Sequence, residues 1–146
     1  MKEDLSVKEI AISAAPMSIE DLIAIARGRA PVRLTDDSKV RITQARKLVE
    51  QWVEEGRIIY GITTGFGALS DVRISKAQTR QLQQNILMSH ASGVGKILEE
   101  EIVRAVMALR VKDFAGGHSG IRLSSSELLL ELLNRGVYPV IPEKGS

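Results

Sequence analysis

Cysteine is missing from this sequence altogether, so neither a disulfide framework nor a thiolate metal site can form. Histidine is nearly as scarce: His90 and His118 are the only two, too few for a zinc site of three or four clustered ligands. Aromatic residues make up 3% of the chain, namely Trp52, Tyr60, Phe66, Phe114 and Tyr138. Excess charge is small as well, with 20 Lys and Arg against 18 Asp and Glu, and the basic residues are scattered. A nucleic-acid reader needs a basic stripe and stacking aromatics, and neither is present. No apolar run approaches the roughly 20 residues that span a bilayer. The first ten residues are charged and lack the apolar core of a secretory signal. The expectation is a soluble, cytoplasmic protein without a membrane or nucleic-acid partner and without a metal site. Its 146 residues amount to one modest domain.

What is present is helical patterning broken by glycine. Ser18-Ile-Glu-Asp21 reads as a capping-box-like start. A short helix follows with Leu22, Ile23 and Ala26 on one face, and Gly28 suits its end. Residues 30–34 are expected to be extended, because Pro31 restricts its predecessor. Thr35 and Ser38 are candidate caps for a long helix to about Glu55, in which Ala45, Leu48, Val49, Trp52 and Val53 follow single-face spacing. Gly56 stops it. Residues 57–62, apolar and β-branched, read as a short strand. A third helix runs from a cap at Ser75 to about Ala91 and is ended by Gly93 and Gly95. A fourth spans 98–114, with Leu98, Ile102, Ala105, Val106 and Leu109 facing one way and three glutamates in the first turn, where the helix dipole favours them. Ser124, Ser125 and Ser126 offer caps for a fifth helix through about Asn134, which Gly136 ends. Residues 137–142 are extended, because two prolines forbid helix. The fold class expected is therefore mainly α, with short extended links.

The most informative stretch is the loop Tyr60-Gly-Ile-Thr-Thr-Gly-Phe-Gly67. Its three glycines mark backbone that turns tightly or approaches something closely. One reading is a structural turn between strand and helix. The other is an active-site loop holding the Tyr60 phenol, since a tyrosine acts as a general base when its surroundings lower a pKa that is ordinarily about 10. Other glycine motifs fail. The phosphate-binding loop ends in Gly-Lys-Ser/Thr, whereas Gly95-Lys96 is followed by Ile97 and its first glycine position falls on His90. Gly61, Gly65 and Gly67 lack dinucleotide-fingerprint spacing. Gly117-His118-Ser119-Gly120-Ile121 begins like a nucleophile elbow but lacks the last glycine and the preceding strand, so His118 reads as a structural turn residue. His90, near the end of the third helix, is either an ordinary helix-end residue or a hydrogen-bonding group for a substrate ring.

Taken in order, these pieces resemble one family. The Tyr60–Gly67 loop is similar to the signature loop of histidine, phenylalanine and tyrosine ammonia-lyases. The run Leu82-Gln-Gln-Asn-Ile-Leu-Met-Ser-His-Ala-Ser-Gly-Val-Gly95 resembles the helix that follows it in the histidine enzymes. Arg104-Ala-Val-Met-Ala-Leu-Arg110, Gly117-His-Ser-Gly-Ile-Arg122, Leu132-Leu-Asn134 and Pro139-Val-Ile-Pro-Glu-Lys-Gly-Ser146 continue the likeness, which covers the chain from about residue 18 onward. Two departures stand out. Thr63-Thr64 looks more like the phenylalanine and tyrosine enzymes, and Lys112 and His118 replace residues usual in the family.

The resemblance implies an enzyme that eliminates ammonia from an amino acid, with L-histidine giving trans-urocanate. It implies no external cofactor. The electrophile would be methylidene-imidazolone, formed by cyclisation and dehydration of an internal Ala-Ser-Gly. That tripeptide is expected just beyond Ser146, so residues 1–146 would be the N-terminal part of the lyase domain, inactive alone and partnered by the C-terminal remainder. By the same resemblance Tyr60 is the base for the β-proton, and His90 and Gly67 bind substrate. Gly61, Thr64 and Gly65 shape the loop. The enzyme is expected to be a homotetramer acting on a small amino acid. The alternatives are a tyrosine or phenylalanine ammonia-lyase or aminomutase segment, and a non-catalytic helical interaction fragment. Ser89-His90 favours histidine or tyrosine, whose rings offer imidazole a polar partner.

Overall fold

The computed structural model describes residues 8–64 and 76–145. Five helices dominate, as the patterning predicts. In chain order the elements are β1 (Ile10–Ile12), α1 (Ile19–Ala26), β2 (Val32–Leu34), α2 (Asp36–Glu54), α3 (Lys76–His90), β3 (Val94–Ile97), α4 (Glu100–Ala115), α5 (Leu123–Arg135) and β4 (Pro142–Lys144). The chain divides into two units, Met1–Arg46 with Ile97–Ile141, and Lys47–Lys96 with Pro142–Ser146.

The first unit holds the core. β1 and β2 pair in parallel, with Ile10 opposite Val32 and Ile12 opposite Leu34, and α1 makes the crossover between them that parallel strands require. Strand alternation sends Ile12, Val32 and Leu34 inward, while Ala11 and Arg33 face out. Ser18 caps α1 by accepting the Asp21 amide at 3.0 Å, and Thr35 accepts the Ser38 amide at the start of α2. Ile25 of α1, Ile42 of α2, Met107, Ala108 and Val111 of α4 and Leu133 of α5 complete the buried cluster. At the end of α5, Gly136 takes the left-handed φ of 71° that stops a helix without a Cβ penalty.

Two polar side chains stitch this core. Asn134 accepts the Val32 amide at 2.9 Å and donates to the Val32 carbonyl at 2.8 Å, mimicking a further strand beside β2. Arg104, buried in α4, donates through Nε and Nη2 to the Ile25 carbonyl and through Nη1 to the Leu133 carbonyl and the Tyr138 hydroxyl. Ile25 and Leu133 lie in the last turns of α1 and α5. Their carbonyls are the negative ends of helix dipoles, so the cation is compensated without any carboxylate.

The structure corrects five expectations. Residues 57–62 form no strand, because the Thr63 hydroxyl takes the Ile59 amide and the Arg57 carbonyl that a strand partner would need. The buried face of α4 is Val103, Met107, Ala108, Val111 and Ala115, while Ile102, Val106 and Leu109 of the expected face are exposed. Both faces are apolar, so spacing alone does not choose between them. None of Ala45, Leu48, Val49, Trp52 and Val53 is buried; α2 inserts Ser38 and Ile42 instead. The cap position of α5 is Arg122 rather than a serine, and it makes no side-chain cap bond. β1 and β3 were not expected. Strands of three and four residues are too short to show a period. The expected cap at Ser75 lies outside the described residues.

The second unit is built differently. Every buried apolar side chain among the described residues belongs to the first unit. In the second, Ile58, Leu87, Met88 and Val94 are all exposed.

Candidate active site

Tyr60 sits in a turn that side-chain hydroxyls hold together. Ile62 and Thr63 donate their amides to the Ile59 carbonyl at 3.1 and 3.0 Å. The Thr63 hydroxyl accepts from the Ile59 amide at 2.9 Å, and Thr64 Oγ1 accepts from the Gly61 amide at 3.3 Å. Gly61 has φ 73°, the left-handed region in which a side chain would be strained. Thr64 is buried, whereas the Tyr60 side chain is 63% exposed. The local sequence thus produces an anchored turn with its phenol outermost. Just upstream, the Arg57 guanidinium lies 5.7 Å from the centroid of Trp52.

Spacing pointed to Thr64 as a loop-shaping residue and missed Thr63. The missed signal is a threonine four residues after Ile59, placed to return its hydroxyl to the preceding backbone. Gly65 and Gly67 lie outside the described residues. Tyr60, Gly61 and Thr64 therefore share one turn.

His90 is the last residue of α3, in the same unit, and is exposed. Its Nδ1 lies 2.9 Å from the Ile86 carbonyl and 2.9 Å from Ser89 Oγ. Ser89 Oγ in turn donates to the Ile86 carbonyl at 3.0 Å. His118 packs beside Gly116 in the turn after α4.

Among the described residues no group of three or more metal-ligating side chains comes together. A groove of about 250 Å³ runs between Leu22, Ile23 and Ala26 of α1 and Ile102 and Ala105 of α4. It contains none of the expected site residues.

A methylidene-imidazolone needs an Ala-Ser-Gly tripeptide, and the chain has one, Ala91-Ser92-Gly93. It does not fit the group. All three residues are exposed, and a Cβ on Gly93 would meet Pro142 Cγ at 2.6 Å, so the glycine serves a close approach to β4. Cyclisation and dehydration of the backbone require a compressed, water-poor setting, which an exposed stretch past a helix end does not provide.

The sequence profile described as aromatic amino acid lyase matches residues 17–146. A histidine ammonia-lyase of Alkaliphilus metalliredigens is 48% identical over 140 residues, covering 96% of this chain and 28% of that protein. Among solved structures, a tyrosine aminomutase of Streptomyces globisporus superposes with a TM-score of 0.89 at 33% identity, over 95% of this chain and 26% of the other. A histidine ammonia-lyase of Trypanosoma cruzi gives 0.86 at 34% identity, over 95% and 27%. The chain spans about 28% of the length of the curated relatives it matches.

Proposed function

The chain belongs to the aromatic amino acid lyase family, and from that premise we propose that it is the tyrosine-bearing N-terminal part of a histidine ammonia-lyase, which converts L-histidine to trans-urocanate and ammonia. The observation that carries the reading is the Tyr60 turn. A phenol is held outermost by backbone and threonine bonds, on a loop that resembles the family's signature. In this reading Tyr60 takes the β-proton of the substrate, and Gly61, Thr64 and Gly65 fix the loop while Gly67 lets substrate approach. His90 meets the substrate ring. The β-proton is weakly acidic, so the base must lie within hydrogen-bond reach of it and water must be kept away.

The methylidene-imidazolone, from an Ala-Ser-Gly outside this chain, would supply the electron sink that makes the amine a leaving group. Residues 1–146 are then the N-terminal part of the lyase domain, and they need the C-terminal remainder for activity. The assembled enzyme is proposed to be a cytoplasmic homotetramer. No helix among the described residues is long and apolar enough to cross a membrane.

A second reading, tyrosine as substrate, has two observations in its favour: Thr63-Thr64 in the loop and the likeness to the Streptomyces aminomutase. One assay separates them. This chain, joined to the C-terminal remainder of the Alkaliphilus enzyme, is given L-histidine, L-tyrosine and L-phenylalanine, and the products are followed by ultraviolet absorbance and chromatography. Urocanate from histidine is expected. Preferential coumarate or β-tyrosine would move the assignment to the tyrosine enzymes, and no turnover of any of the three would leave a non-catalytic interaction fragment.

A further inference from the structure

We propose that Ser89 is a positioning residue that fixes the tautomer of His90, so that the ring presents a lone pair at Nε2 and selects a substrate ring that donates a proton. The substrate half rests on the proposed function; the tautomer half does not.

Three atoms meet at the end of α3: the Ile86 carbonyl oxygen, Ser89 Oγ and His90 Nδ1. Their three separations are 2.9, 2.9 and 3.0 Å. The carbonyl can only accept. With the proton on Nδ1, every contact joins a donor to an acceptor. Ser89 donates to the carbonyl, while Nδ1–H is shared between that carbonyl and Ser89 Oγ. With the proton on Nε2 instead, the Nδ1 lone pair would face the carbonyl lone pairs at 2.9 Å, and the single hydroxyl proton could serve only one of two acceptors. The Ile86 carbonyl also lies in the last turn of its helix, at the negative end of the dipole, which favours a donor there. Which ring nitrogen carries the proton is set by the bond the other one makes.

A neutral His90 held this way is a hydrogen-bond acceptor at Nε2. It pairs with the ring N–H of histidine or the phenol O–H of tyrosine, and it offers nothing to the ring of phenylalanine. Ser89 touches no substrate in this account. It acts through His90 by keeping Nδ1 protonated and the ring oriented.

The chain has only two histidines, so a long-range ¹H–¹⁵N spectrum of the ¹⁵N-labelled full chain reads the tautomer directly, with His90→Gln assigning the signals. At pH about 8.5, where an ordinary imidazole is neutral, His90 should show a pyrrole-type Nδ1 and a pyridine-type Nε2. Ser89→Ala should move both toward the averaged shifts of free histidine, and Ser89→Thr should restore them. A pyrrole-type Nε2 in the parent chain, or an unchanged pattern in Ser89→Ala, overturns the proposal. In the joined enzyme, Ser89→Ala should raise KM for histidine about five- to tenfold while kcat stays within about twofold, as expected for a lost ground-state contact. A fall in kcat at constant KM would overturn the positioning role. If the parent enzyme has no lyase activity, the proposed function fails while the spectrum still decides the tautomer.

Discussion

At the scale of single residues, Tyr60 and Arg104 do opposite things with a polar side chain. Tyr60 is displayed at 63% exposure on a pinned turn, so removing its hydroxyl should cost chemistry and little stability. Tyr60→Phe in the joined enzyme is expected to lower kcat by about 10²- to 10⁴-fold, the usual contribution of a general base, with an unchanged thermal melt. A variant that keeps its activity would exclude Tyr60 as the base. Arg104 is 3% exposed and donates to two helix-end carbonyls and a phenol. Arg104→Met leaves those acceptors buried and unpaired, and should destabilise the chain by about 3 kcal/mol, read as a lower urea midpoint. The ion pairs Arg27–Glu101 and Arg29–Glu100 are exposed, and pairs of that kind contribute little.

At the scale of elements, α4 is the helix whose packing most needed the structure. Its two apolar faces compete, and the winner faces β1, α1 and α5. Met107 is 3% and Leu109 is 46% exposed. Met107→Ala should therefore cost about 2–5 kcal/mol, the range for truncating a buried side chain, while Leu109→Ala should cost well under half of that. Denaturant titration of both variants checks it, and equal losses would reverse the assignment of faces. The ends of the helices were easier to foresee than their faces. Ser18, Thr35 and Gly136 announce caps and a stop through short-range chemistry. The strand expected at 57–62 failed for an equally local reason, since Thr63 satisfies that backbone first.

At the scale of the whole molecule, burial is uneven. The first unit holds all the buried apolar side chains of the described residues, and the second displays Leu87 and Met88 to solvent. Amides protected by a packed core exchange through rarer openings than those without one. Hydrogen exchange should accordingly be faster in α3 than in α4 by at least about tenfold, and comparable rates would show that the second unit is as well supported as the first. Ile23, Ile102, Val106 and Leu109 form an exposed apolar face on α1 and α4. Such faces promote association, so the 146-residue chain alone should sediment as more than a monomer; a clean monomer at high concentration would contradict that.

The sequence by itself determined where helices begin and end, which loop carries a phenol among glycines, and the family likeness, because caps, breakers and motifs act within a few residues. It did not determine which face of α4 goes inward, that Arg104 would join the ends of α1 and α5, or that Ile86 and Ser89 would hold one nitrogen of His90. Packing decided the first two, since they depend on partners 29 to 79 residues away in the chain. The third depended on rotamers that spacing cannot specify.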